Sequence, residues 1–188
     1  MIGLLGGAFN PPHNGHVALG RTANAHFKLD DLVILVSRHP GHKTVELDAD
    51  VRMQLARAAF PEHDVELDPY ERTVDLLKSR RWRDPLFIIG ADQFAEFLTW
   101  KDPDGVLAVA RLGVAERPGY PREQLDAVLA GLARPERVEF FALDPMPISS
   151  RSVRERVSRG EPIDELVPPE VAELIDSLGL YRHVSAPG

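Results

Sequence analysis

The chain has 188 residues, 44% apolar and 27% charged, which suits one compact domain and is short for two. A net charge of −7 argues against a duplex nucleic-acid partner, which asks for a basic excess. The lack of cysteine removes disulfide scaffolds, thiolate zinc sites and cysteine nucleophiles, and no apolar run approaches the length of a membrane span.

Met1-Ile2-Gly3-Leu4-Leu5 carries no basic start and its apolar stretch breaks at Gly6-Gly7. A signal peptide is therefore not expected and a cytoplasmic location is. Ile2–Leu5 predicts a buried strand, His16–Phe27 a helix and Asp31–Ser37 a second buried strand. Asp48 or Asp50 is placed to cap a helix in which Val51, Leu55, Ala58 and Ala59 fall at helical spacing. Val65–Leu67 reads as a weak strand, and Thr73–Trp82 as a short helix with Val74 and Leu77 inward. Leu86–Ile89, Leu112–Ala115 and Val138–Leu143 read as strands, and Arg122–Leu132 as a helix. Ser149–Ser158 and Pro169–Leu178 close the chain as helices, the last with Val171, Leu174, Ile175 and Leu178 in one apolar stripe. Strands that are continuously apolar and alternate with helices imply an α/β fold, a doubly wound, mostly parallel sheet covered on both faces. Such sheets bind ligands at the carboxyl ends of their strands, so the loops after Leu5, Ser37, Ile89 and Leu143 should share one rim.

The first of these loops, Gly6-Gly7-Ala8-Phe9-Asn10-Pro11-Pro12-His13-Asn14-Gly15-His16, is the most informative segment. Gly6 and Gly7 permit close backbone approach to a ligand. His13 and His16 stand three apart at a helix start, so both rings can serve one spot. A helix N-terminus already offers free N–H groups and the positive end of a dipole, and two imidazoles add donors for phosphate oxygens. A zinc pair, or histidines satisfied within a turn, are the competing readings. Neither a GxxxxGK[ST] loop nor a GxGxxG fingerprint is present. Near the other end, Ile148-Ser149-Ser150-Arg151-Ser152-Val153-Arg154 places two hydroxyls at a helix start and an arginine one turn on, a second polyphosphate-binding pattern. Plain helix capping with a basic surface face (Arg151, Arg154, Arg156, Arg159) is its alternative.

Together, GxFxPxHxGH and ISSxxxR resemble the nucleotidylyltransferase superfamily, whose fold is Rossmann-like. Gly90-Ala91-Asp92-Gln93, Trp100, Arg117-Pro118-Gly119-Tyr120 and Pro40-Gly41-His42-Lys43 narrow the resemblance to the bacterial nicotinate mononucleotide adenylyltransferases, from Met1 to about Tyr181. The resemblance implies a single domain over 1–188, with C-terminal helices at about 148–181 packed on it and closing an ATP site. It implies His13, His16, Lys43 and Arg154 as catalytic residues. For ATP it implies Gly7, Ala8, Phe9, Gly90, Asp92, Ser149 and Ser150 beside His13, His16 and Arg154. For the acceptor it implies Thr73, Trp100 and Arg117, with the indole stacked on a pyridine ring. The implied reaction is an in-line attack by the acceptor's 5′-phosphate on the α-phosphorus of ATP, giving deamido-NAD and pyrophosphate. Mg²⁺ would be held mainly by ATP phosphates and water, with few protein ligands and hence no metal motif in the sequence. Small-molecule substrates are the implied partners, with no nucleic acid and no membrane, and a homo-oligomer is compatible with the pattern. Asn10 stands where an aspartate is common, Arg151 where a threonine is usual, and Glu71-Arg72-Thr73 where the family has Ser-Tyr-Thr. Two alternatives stay open: a sister enzyme adenylating or cytidylating another acceptor (nicotinamide mononucleotide, phosphopantetheine), and a non-catalytic nucleotide sensor on the same fold.

Overall fold

The apolar runs line up as a single parallel sheet in the computed structural model, which describes residues 1–40, 45, 47–79 and 81–182. The strands are β1 (Ile2–Gly7), β2 (Asp31–Ser37), β3 (Asp64–Asp68), β4 (Leu86–Gly90), β5 (Arg111–Glu116) and β6 (Val138–Ala142). Their spatial order is β3-β2-β1-β4-β5-β6, and every pairing is parallel rather than most of them. β1 lies at the centre, with Leu5 opposite Ile34 on one side and Ile88 on the other. The order reverses between β1 and β4, so a crevice opens there beyond their carboxyl ends.

The helices are α1 (Asn14–Phe27), α2 (Ala49–Ala59), α3 (Thr73–Lys78), α4 (Ala91–Ala95), α5 (Pro103–Val109), α6 (Arg122–Ala130), α7 (Ser150–Ser158) and α8 (Pro169–Ser177), with a 3-10 turn at Phe97–Thr99. Side chains alternate across each strand, so Leu4 and Leu5 enter different cores. Leu5, Ile34 and Ile88 pack with Leu19 of α1, Leu55 of α2, Val153 of α7 and Ile175 of α8. Leu4, Val33 and Phe87 pack with Val74, Phe94, Leu107 and Leu125 of α3 to α6. Truncating a large side chain in either core costs about 2–5 kcal/mol.

Three expectations are corrected. The helix expected over Thr73–Trp82 ends at Lys78, with Ser79 capping it. α4, the 3-10 turn and α5 fill the stretch between β4 and β5, where no helix was expected. Leu178 is 50% exposed at the C-cap of α8, off the stripe that buries Val171 and Ile175. Among the described residues no helix is long and apolar enough to cross a membrane.

Candidate active site

The β1–α1 loop is shaped by packing as much as by glycine. Gly7 does not leave open space for a ligand: a Cβ there would lie 2.9 Å from the Phe9 ring, so the glycine makes room for Phe9. Phe9 is 1% exposed and meets His16 and Phe60 edge-on at 5.1 and 5.9 Å between ring centroids. It holds φ +48°, a left-handed conformation that a bulky residue rarely adopts and that the surrounding packing must enforce. The Phe9 side chain is therefore turned into the core, and the surface of the loop at Gly7 and Phe9 is backbone.

His13 is the N-cap of α1, and His16 stands one turn in. The rings lie 3.7 Å apart between centroids, tilted by 32°. The His13 backbone N–H donates to His16 Nδ1 at 3.2 Å. With Nδ1 accepting, a neutral His16 carries its proton on Nε2. His13 is 5% exposed and its Nδ1 is buried without a hydrogen-bond partner. Burial, and secondly the charge of Arg117, bring its pKa down to about 4, so the ring is neutral near pH 7. Gly15 packs tightly beside it, where a Cβ would come 3.0 Å from His13 Nδ1 and press on the ring.

Side chains from distant parts of the chain hold the loop. Arg154 Nη1 donates to the Asn10 carbonyl at 2.7 Å and Ser150 Oγ to the Pro11 carbonyl at 2.7 Å. Tyr181 Oη donates to Asn10 Oδ1 at 2.8 Å. Asn14 donates from its backbone to the Leu166 carbonyl at 2.9 Å and from its side chain to the Glu165 carbonyl at 3.0 Å. Arg52, 2% exposed, donates to the carbonyls of Ala8, Ser37 and Leu47 at 2.9, 2.7 and 3.1 Å. Ser149 caps α7, accepting from the Ser152 N–H at 3.0 Å. Of the four arginines on that helix and its end, Arg151, Arg156 and Arg159 pair with Glu155 or Glu161 at the surface, while Arg154 reaches the loop.

Across the crevice, Gly90 ends β4 and Asp92 lies in the first turn of α4. A Cβ on Gly90 would stand 2.4 Å from Asp92 Oδ1 and 4.0 Å from Arg117 Nε, so the missing side chain lets the carboxylate fold back beside Arg117. A cleft of about 540 Å³ runs from Gly15 and Ala18 of α1 past Asp92 and Arg117 to Tyr120 and Met146. Its volume suits a small-molecule ligand. A second depression of about 480 Å³ lies among Ser158, Ile163, Asp164 and Arg182. It reaches none of the rim loops, whereas Asp92, Arg117 and Leu143 place the first cleft on them, so the first cleft is the better candidate.

Thr73 and Trp100 lie on the α3–α6 side. Thr73 opens α3, and Lys101 and Asp102, next to Trp100, pair with Asp75 and Lys78 of α3 at 3.6 and 2.7 Å. The indole sits 5.2 Å from Phe97 and 6.5 Å from Phe87, half-buried at the margin of the core. Arg117, grouped with these two in the sequence reading, lines the cleft with Asp92 instead. His42 and Lys43 lie outside the described residues. Sequence reasoning missed Arg52, Tyr181 and Asn14. The available signal for Arg52 was its place on the inward face of α2, in step with Leu55, Ala56 and Ala59. Among the described residues no group of three His, Asp or Glu is placed to hold a metal ion.

Residues 4–156 match the cytidylyltransferase-like family model. A probable nicotinate-nucleotide adenylyltransferase from Moorella thermoacetica is 34% identical, covering 96% of this chain and 91% of its own length. One from Thermus thermophilus is 34% identical, covering 96% and 99%. A Plasmodium falciparum nicotinic acid mononucleotide adenylyltransferase, solved in complex with NaAD, superposes with a TM-score of 0.76 over 96% of each chain at 16% identity, a likeness of fold. The matched region contains both the two-histidine loop and Arg154, and by these relatives the chain belongs to the nicotinate-nucleotide adenylyltransferase family of cytidylyltransferase-like proteins.

Proposed function

We propose that this enzyme transfers the adenylyl group of ATP to the 5′-phosphate of nicotinate mononucleotide, releasing pyrophosphate and forming deamido-NAD, a step of NAD biosynthesis. The observation that carries the reading is the close His13–His16 pair at the N-terminus of α1: Gly15 between them lines the cleft with Asp92 and Arg117, and the Arg117 charge acts on His13. In this reading the adenosine occupies the cleft, with Asp92 accepting from the ribose hydroxyls. The polyphosphate lies over the start of α1, where His16 Nε2–H and the helix N–H groups meet its oxygens. The acceptor lies towards Thr73 and Trp100, its ring on the indole.

The attacking phosphate is already an anion, so no general base is needed. Catalysis is then the holding of two anions in line and the stabilising of charge that grows on the α-phosphate and the leaving group. His13 serves as a neutral donor. Arg154 and Ser150 act through the loop carbonyls they hold, and Arg117 adds a cation at the cleft. The groups around the phosphate position are imidazole and guanidinium, which suit phosphate oxygens and do not offer the oxygen ligands that a hard cation such as Mg²⁺ takes. A Mg²⁺ ion would therefore arrive on ATP, held by phosphate and water, and supply charge shielding.

The test is pyrophosphate release from ATP or CTP with nicotinate mononucleotide, nicotinamide mononucleotide and phosphopantetheine as acceptors. Turnover with ATP and the nicotinate compound is expected. Its kcat/KM should exceed that of the amide roughly ten- to hundredfold, the consequence of leaving an NH₂ donor unpaired in a closed site. Preference for phosphopantetheine or CTP would move the enzyme to a sister activity. Absence of release with every pair would favour a sensor.

A further inference from the structure

Arg52 is among the largest fully buried side chains of the protein. A buried guanidinium is costly unless its donors are met, and such a group is weak evidence of stabilisation, because an apolar residue of similar volume would serve a core as well. Its donors are met only by backbone carbonyls in the contacts described, and those carbonyls are informative. Nη1 bridges Ala8, in the nucleotide loop, to Ser37, at the end of β2. Nε takes Leu47, where the chain returns towards α2. One planar group thus ties together three segments at the rim of the site. Tyr181 and Asp48 both lie close to Arg52, and the Tyr181 hydroxyl holds the Asn10 side chain in the same loop.

We propose that Arg52 and Tyr181 are positioning residues for adenylyl transfer, a clamp behind the nucleotide loop that fixes Ala8 to Asn10 against the end of β2 and the segment after α8. With the carbonyls of Ala8 and Asn10 and the amide of Asn10 tied to protein donors, the backbone around Phe9 cannot relax from its left-handed conformation, and His13 and His16 stay aligned. Alignment of donors to well under an ångström is what a charge-stabilising site depends on. The inference rests on the adenylyl-transfer reading for its kinetic part and not for its structural part.

Two variants test it, Arg52→Lys, which keeps the charge and loses the planar fork, and Tyr181→Phe, which removes one hydroxyl. Each is assayed for kcat and for the KM of ATP and acceptor. Amide hydrogen exchange over residues 6–16 and circular dichroism are measured on the same samples. Tyr181→Phe should remain folded and lose roughly three- to tenfold in kcat, the worth of one neutral hydrogen bond. Arg52→Lys should lose roughly ten- to hundredfold. In both, exchange in the loop should rise and the acceptor KM should stay at the parent value. A purely structural residue would lower the folded fraction and leave kcat per folded molecule and loop exchange unchanged. Either readout staying at the parent value in folded variants overturns the clamp, and if Arg52→Lys does not fold, Tyr181→Phe decides by the same criteria. A parent enzyme that releases no pyrophosphate with any acceptor would sink the activity, while loop exchange would still report on the clamp.

Discussion

The neutral state of His13 sets a pH dependence that can be measured without substrate. Its pKa is 6.5 when unfolded and about 4 in the folded protein, lowered first by burial and then by Arg117. The unfolded chain therefore binds a proton at this position below pH 6.5 that the folded protein refuses. The contribution is fully present above pH 6.5, falls as the pH drops towards 4, and is gone below that. The whole gap amounts to about 3 kcal/mol, and about 2 kcal/mol of it is lost between pH 8 and pH 5. Urea unfolding of the parent and of His13→Gln at those two pH values isolates this part, because all other titrating groups are shared. The parent should lose about 2 kcal/mol more than the variant on acidification. Equal losses in the two proteins, to within about 0.5 kcal/mol, would refute the buried, neutral histidine and the phosphate role built on it.

Replacing His16 with alanine removes a donor aimed at the phosphates and should cut turnover by roughly 10²–10³ with the fold intact, as removal of an oxyanion donor does elsewhere; near-parent turnover would exclude the role. Arg154→Lys keeps the charge but not the fork that reaches the Asn10 carbonyl at 2.7 Å. It should remain impaired in turnover and ATP affinity, and a variant that matches the parent in both assays would make Arg154 an ordinary surface residue.

How far the sequence could be read depended on whether a residue's partner was local. The strands were legible because continuous apolar runs such as DLVILVS have no other use in a chain of this kind, and the structure buries Leu32 to Val36. The two-histidine turn was legible because its chemistry sits within a few residues. α4, the 3-10 turn and α5 were not, because each is too short to show a helical period. Arg117 was grouped with Thr73 and Trp100 by resemblance, and only the fold shows that the β5 strand delivers it beside Asp92. Ser150 and Arg154 were read as ligands of a polyphosphate, and nothing local in their helix says that they meet the carbonyls of Pro11 and Asn10. Arg52 was visible only as a charge on the inward side of α2, a pattern that reads as an error until its three carbonyl acceptors are seen. Gly7 shows the opposite case: its type was right for a tight loop, but the neighbour that requires it is Phe9 and not a ligand.

The loop after β1 receives donors from residues 150, 154 and 181, and Asn14 behind it is anchored at residues 165 and 166. On the nucleotide placement proposed above, ligand affinity and C-terminal packing are therefore two readings of one equilibrium. If α7 and α8 open from the sheet, the loop loses its supports together and nucleotide affinity falls in that subpopulation. By reciprocity, a nucleotide held by the loop raises the free energy needed to open those helices. Local opening at the end of the chain is thus a tax on substrate binding, and substrate in turn protects a region it does not need to touch.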